Sequence, residues 1–238
     1  MNVPFWKKAL SYVIDIPVES TSSEYNDSLF LKLSGGRYQL CTPDAIYSWA
    51  DKYDNYALSF STMDLDRFQN ADLLILGFGL GSIPYMLENN FDKKYSYTGV
   101  DIDPEVIRLA GKYVLSELKS PVTIIQADAM QYLMSSTQKF DIIASDIFIN
   151  DSIPDQYLSE NYFNTVKKRL SKQGVFMMNM LYRTASDKKL SDHVFENVFL
   201  KCFPAGDRLR VRDNMMLFNR KDIITHKNEA EYTKRNMD

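Results

Sequence analysis

The chain has 238 residues, of which 45% are hydrophobic and 25% charged, with a formal net charge of −3. That length buries a sizeable core in one large domain, or in one domain with a small appendage, and the composition is ordinary for a soluble globular protein. The balance gives no electrostatic case for nucleic acid or an anionic membrane, no run nears the roughly 20 apolar residues of a membrane span, and two distant cysteines suggest neither a disulfide framework nor a thiolate metal site.

In chain order, residues 12–19, 28–34 and 37–41 are short and rich in β-branched and aromatic residues, and Gly35-Gly36 between the last two is a hairpin signal. Residues 1–42 therefore read as a small β-rich unit. Residues 44–60 are expected to be helical after an Asp44 cap, with Ile46, Trp49, Tyr53 and Tyr56 at helical spacing. From Ala71 strands and helices alternate: strands at 73–76, 97–100, 122–126, 142–145 and 175–180, a helix with Pro84 near its start, and one opened by Pro104. A further helix carries Tyr162, Val166 and Leu170, and another carries Leu190, Val194, Val198 and Cys202 at four-residue intervals. Strands at 209–211 and 215–218 close the pattern as an antiparallel hairpin around Asp213-Asn214. The expected fold is α/β, a doubly wound, mostly parallel seven-stranded sheet, with a boundary near residue 60 and a polar tail at 222–238. The start has charges and no long apolar core, so no leader peptide is expected, and a reducing cytoplasm fits. Two histidines, His193 and His226, are too few for a metal site.

The chemistry gathers where Leu73-Leu74-Ile75-Leu76 runs into Gly77-Phe78-Gly79-Leu80-Gly81-Ser82. Alternate glycines let the chain turn sharply out of a sheet and leave no side chains where a ligand approaches the next helix. Asp101, at the tip of the following strand, is placed to accept from a ribose, with Ile102 beside it. The dinucleotide fingerprint requires glycine where this chain has Ser82; G-x-G-x-G is the spacing usual for S-adenosylmethionine (SAM). Ligands of open α/β sheets bind beyond the carboxyl ends of the strands. That places Asp128 near an adenine amino group, Ala129 against the ring, and Asp146 beside the reactive end. Asp103 and Asp141 read as capping or loop carboxylates.

From about residue 20 to 219 the sequence resembles the spermidine synthase (polyamine aminopropyltransferase) group of the SAM-methyltransferase superfamily. The resemblance is firmest over Phe140-Asp141-Ile142-Ile143-Ala144-Ser145-Asp146, then Tyr157-Leu158, Tyr162-Phe163, Leu170, Gly174-Val175 and Asn179. It implies a donor-binding acid at Asp101, an adenine-binding acid at Asp128 and an amine-facing catalytic aspartate at Asp146. Other family positions differ. The loop acid that holds the amine of decarboxylated SAM falls on Leu80, a second diamine-binding acid on Ile149 with Asp151 close by, a glutamine on Tyr47, and a Tyr-His-Glu run on Tyr56-Ala57-Leu58.

Each change removes a polar or acidic group from a site built for a polycation, and a buried ammonium without a carboxylate is strongly disfavoured. The reading is a SAM-dependent methyltransferase in which backbone amides and Ser82 meet the donor's carboxylate. Asp146 orients the acceptor, and Tyr47, Tyr56, Asp151 and Tyr182 form the acceptor pocket, joined by Trp49. The acceptor is expected to be a small molecule, with no metal, and the resemblance adds a homodimer. The alternatives are an aminopropyltransferase using decarboxylated SAM, with a different amine or with compensating acids such as Asp151 and Asp155, and a non-catalytic binder of adenosyl ligands or a partner.

Overall fold

The structure, a computed structural model, describes residues 3–43 and 45–225. β1 (Ile16–Thr21), β2 (Leu29–Ser34), β3 (Arg37–Cys41) and β4 (Ile46–Ser48) form a four-stranded antiparallel sheet in that order. The period-two alternation of β2 puts Leu29, Leu31 and Leu33 inside and leaves Phe30 outside. Gly35 and Gly36 take φ of 56° and 76°, the left-handed pair that a two-residue hairpin turn demands. The first strand starts at Ile16, not residue 12. Ahead of it stands α1 (Phe5–Leu10), a helix with no buried residue and so no apolar stripe to reveal it.

The main sheet contains β5 (Asp72–Leu76), β6 (Ser96–Asp101), β7 (Val122–Gln126), β8 (Phe140–Ser145), β9 (Leu170–Leu181), β10 (Asp207–Val211) and β11 (Asn214–Phe218). Its order is β10-β11-β9-β8-β5-β6-β7, parallel from β9 to β7, with β11 antiparallel to both neighbours. This is the expected doubly wound, mostly parallel seven-stranded sheet. Leu170, expected on a helix face, instead opens the twelve-residue β9. The closing turn falls on Arg212-Asp213, because Val211 pairs with Asn214.

Buried strands present alternate residues to the two faces, and each face has its own apolar cluster. Leu73, Ile75, Ile142, Ala144, Val175 and Met177 pack beneath α2 (Asp54–Ser61), α3 (Ser82–Asn90) and α4 (Pro104–Tyr113), and this cluster continues into Leu29, Leu31, Leu33 and Leu40 of the small sheet. Leu74, Leu76, Ile143, Phe176 and Met178 face α5 (Ala129–Ser135), α6 (Glu160–Arg169) and α7 (Ala185–Val194). α7 runs on through a π turn, Phe195–Phe199, into α8 (Leu200–Cys202).

The single helix expected over 44–60 does not form. Ile46 and Ser48 pair with β3, Ala50–Lys52 is a 3₁₀ turn entered with Ala50 at φ 45°, and α2 begins at Asp54. Main-chain pairing across β3 wins over the helical spacing of the aromatics. Asp44, the expected cap, lies outside the described residues, as does the expected tail beyond residue 225. The start of that tail is packed: Ile223 is 1% exposed, and Thr225 donates its N–H to the carbonyl of Thr62. No helix among the described residues is long and apolar enough to cross a membrane.

Candidate functional site

The parallel strands point their carboxyl ends at one cleft of about 620 Å³, roofed by residues 45–55. At its centre the chain leaves β5 through Gly77, Gly79 and Gly81, all with positive φ. A Cβ on Gly77 would lie 2.2 Å from the Asp146 carbonyl oxygen, and the Asp146 N–H donates to the Leu76 carbonyl at 2.8 Å. The loops after β5 and β8 therefore touch through their main chains, at the point where strand order reverses.

Asp101 ends β6 at the cleft floor. Its two oxygens accept the N–H groups of Gly79 (2.9 Å) and Asp103 (3.1 Å). Burial pushes its carboxyl up to about 6 despite those donors. Asp103 is, as expected, a cap: it accepts from the N–H groups of Glu105 and Val106 at the start of α4, and from Ser23 and Asn26 of the small unit. Asp141, also read as structural, accepts from the Asp72 N–H and the Ser171 hydroxyl.

Asp128 caps α5 through the Gln131 N–H (2.9 Å), and its other oxygen accepts from Tyr157 (2.5 Å) and Gln156 (3.2 Å). Asp146 accepts from Asn179 Nδ2 at 2.9 Å and from the Tyr53 hydroxyl. Burial lifts its carboxyl to about 6, against the pull of those two donors. Tyr53 is raised well above its ordinary value by burial and by the Asp146 charge.

Of the residues singled out from sequence, Gly77, Gly79, Asp101, Ile102, Asp128, Ala129 and Asp146 line this cleft, together with Tyr47, Trp49 and Asp151. Five others do not. Phe78 turns its ring under the loop onto Gly99, where a Cβ would sit 2.2 Å from it. Gly81 and Ser82 face a second cavity behind the loop. Ser82 Oγ is bonded to Ser48 Oγ (2.6 Å) and accepts the Trp49 N–H (3.0 Å), so it is turned to the roof. Tyr56 is fully buried, its hydroxyl donating to the Ser145 carbonyl. Tyr182 donates to Asp192 outside the cleft.

Tyr47 bridges the roof, accepting the Asn150 N–H and donating to Asn26, each at 2.8 Å. Asp151 is paired with Arg183 at 3.4 Å. Sequence reasoning gave no site role to Tyr53, Asn179, Asn214 or Lys52, all of which line the cleft. One signal was available for Asn179, a lone amide in the apolar run Val175-Phe176-Met177-Met178-Asn179-Met180, since a polar residue in a buried strand needs a partner.

A seven-stranded sheet with one reversed strand near its edge, a glycine turn after the first parallel strand and an acid at the tip of the next define a SAM-methyltransferase-fold protein. The sequence matches the methyltransferase domain family over residues 69–228, and the chain belongs to that family. It is similar to the probable polyamine aminopropyl transferase of Bifidobacterium longum, 36% identical over 107 residues that cover 45% of this chain and 23% of that protein. It is also similar to the human eEF1A lysine and N-terminal methyltransferase, 26% identical over 134 residues that cover 51% of this chain and 19% of that protein. The chain spans less than half the length of the curated relatives it matches. In fold it is similar to a spermidine synthase solved with the transition-state analogue AdoDATO: TM-score 0.68, 17% identity, covering 90% of this chain and 76% of that one. The likeness to spermidine synthases thus holds in sequence and in fold.

Proposed function

We propose that the protein is a SAM-dependent methyltransferase on a spermidine synthase-like scaffold. The observation that carries this reading is Leu80, 2% exposed in the apolar cluster, at the loop position where the resemblance implies an acid for the amine of a decarboxylated donor. Its side chain faces the cavity behind the loop with Leu33, Tyr85 and Val114. Nothing at that position balances an ammonium, and an uncompensated buried charge is costly.

Lys52 supports the same direction. It lines the cleft and has no ion pair among the described residues, whereas the cleft arginines Arg183 and Arg212 are paired with Asp151 and Asp54. Its stem packs on Gly35 at the cleft edge, and from there a free ammonium can complement the carboxylate that SAM keeps and the decarboxylated donor lacks, the role expected of Ser82. Asp151 is neutralised by Arg183, and Asp155 is exposed and outside the cleft lining, so neither compensates for the acid missing at Leu80.

The remaining residues fit an adenosyl ligand. Asp101 uses one lone pair of each oxygen on the main chain, which leaves acceptors for ribose hydroxyls. Ala129 offers an apolar surface, and Asp128 an acceptor for an amino group. Bound SAM supplies an electrophilic methyl group on its sulfonium. The protein's part is to align the acceptor in line with it, and positioning can lower the barrier by several kcal/mol. Asp146 receives the acceptor's proton, and with its carboxyl lifted to about 6 it is a better base at neutral pH than an ordinary aspartate.

Calorimetric titration with SAM, decarboxylated SAM and methylthioadenosine tests the reading, on the wild type and on Lys52→Glu. The wild type should prefer SAM over the decarboxylated donor. Lys52→Glu should weaken SAM about tenfold, the loss of one charge-assisted contact, and leave methylthioadenosine unchanged. A wild-type preference for decarboxylated SAM would return the protein to aminopropyl transfer.

A further inference from the structure

Asp146 is the end of a chain of amides that starts on the last strand of the sheet. Asn214 Nδ2 donates to Asn179 Oδ1 at 2.8 Å, and Asn179 Nδ2 donates to Asp146 Oδ1 at 2.9 Å. Asn179 is 1% exposed within β9, and β11 pairs Asn214 with Leu181 of the same strand. An amide has a donating end and an accepting end, while an ionised carboxylate only accepts. An ionised Asp146 therefore demands the nitrogen of Asn179, which turns the Asn179 oxygen to Asn214, which must donate. A protonated Asp146 permits the reverse, its hydroxyl donating to the Asn179 oxygen and the Asn179 nitrogen turning to Asn214 Oδ1.

We propose that Asn214 is a positioning residue for Asp146: it holds the Asn179 amide in the orientation that favours the carboxylate over the carboxylic acid, through a side chain that does not touch Asp146. The inference rests on the reading of Asp146 as the base of the cleft. Asn214 is well placed for such a task. It follows the hairpin turn at Arg212, whose φ is 51° and whose guanidinium pairs with Asp54 at the start of α2, so the turn is fastened across the cleft mouth.

Other ionisable groups reach Asp146 from each side. Tyr53 bonds to it from the roof, and Tyr56 lies behind it on the Ser145 carbonyl. Asp101 lies across the floor, while Asp54 with Arg212, Asp151 with Arg183, and Asp213 line the cleft. None forms an ion pair with Asp146 among the described residues, so the amide and the phenol are what oppose its burial.

The test is a carboxyl ¹³C NMR titration of the ligand-free full chain labelled in aspartate, with the Asp146 signal assigned by its loss in Asp146→Asn. In Asn214→Leu the Asp146 midpoint should rise by about half to one pH unit, part of what a direct hydrogen bond to the charged form contributes, because the Asn179 amide is freed to turn. The same substitution in an Asn179→Leu background should add nothing, because the path runs through that amide. Asn214→Ser, whose shorter side chain falls short of Asn179, should repeat the rise if Asn214→Leu does not fold. An unchanged midpoint in the single variant, or a full further rise in the Asn179→Leu background, overturns the proposal. Because no ligand is present, this outcome is separate from a failure of SAM to bind, which would sink the methyltransferase reading instead.

Discussion

At the β6 end of the cleft the Asp101 carboxylate is held by main-chain N–H groups of its own crossover, whereas at the β8 end Asp146 is held by Tyr53 from the roof and by Asn179 from β9. Burial raises both acids to about 6. The first arrangement is local, set by glycines and an aspartate within twenty-five residues. The second is assembled from segments far apart in the chain, and Asn214 adds a third. On the proposed function, the half of the cleft assigned to the donor is constrained by backbone geometry, and the half assigned to the acceptor is open to change by side-chain replacement.

The largest expected effect tests the boundary of the donor half. Leu80→Asp places an unpaired carboxylate in the apolar cluster and should cost about 3 kcal/mol or more of stability, read from urea unfolding midpoints, with no gain in affinity for decarboxylated SAM. A stable variant that binds that donor tightly would show that the side chain can turn into the cleft. Next in size, Asp101→Asn should weaken SAM about 100-fold by removing charge-assisted contacts to the ribose, while Asp146→Asn should change SAM affinity less than about threefold. Equal losses in the two titrations would erase the distinction between the halves.

The last effect couples stability to pH. Asp146 has its folded value raised from an ordinary 3.8 to about 6, so the folded state binds its proton more tightly than the unfolded state does. The destabilisation from this group is absent below about pH 4, grows between 4 and 6, and is complete above 6. Asp146→Asn should therefore stabilise the protein at pH 7 by up to about 3 kcal/mol, several degrees in Tm, and the gain should vanish by pH 4. A gain that persists in acid would assign the effect to packing.

The main sheet was legible because its strands and helices alternate with clear apolar periods, and strand-end acids fall where an open sheet places ligands. The segment 44–60 was not legible: Ile46, Trp49, Tyr53 and Tyr56 have helical spacing, but Ile46 turns back onto Cys41 as the last strand of a sheet, and Ser48 is held by Ser82, 34 residues away. The same misreading hid Tyr53 among the core aromatics, whereas Tyr56 was assigned by the family resemblance to a pocket from which the chain withdraws it. Ser82 was misplaced for a related reason, since its partner Ser48 belongs to a strand that periodicity did not show. Of the acids, Asp103 was legible as a cap from Pro104 beside it, whereas Asp101 and Asp146 are distinguished by desolvation, which no local pattern encodes.

Gly77 has no room for a Cβ against the Asp146 carbonyl, and the Asp146 N–H is bonded to Leu76. The span between the seats on either side of the cleft is accordingly a fixed gauge, cut into the backbone where two strands diverge. On the proposed function, a change of cargo would fall on Leu80, the roof or the amide chain and keep the same reach. Gly77→Ala, by contrast, shifts both seats at once.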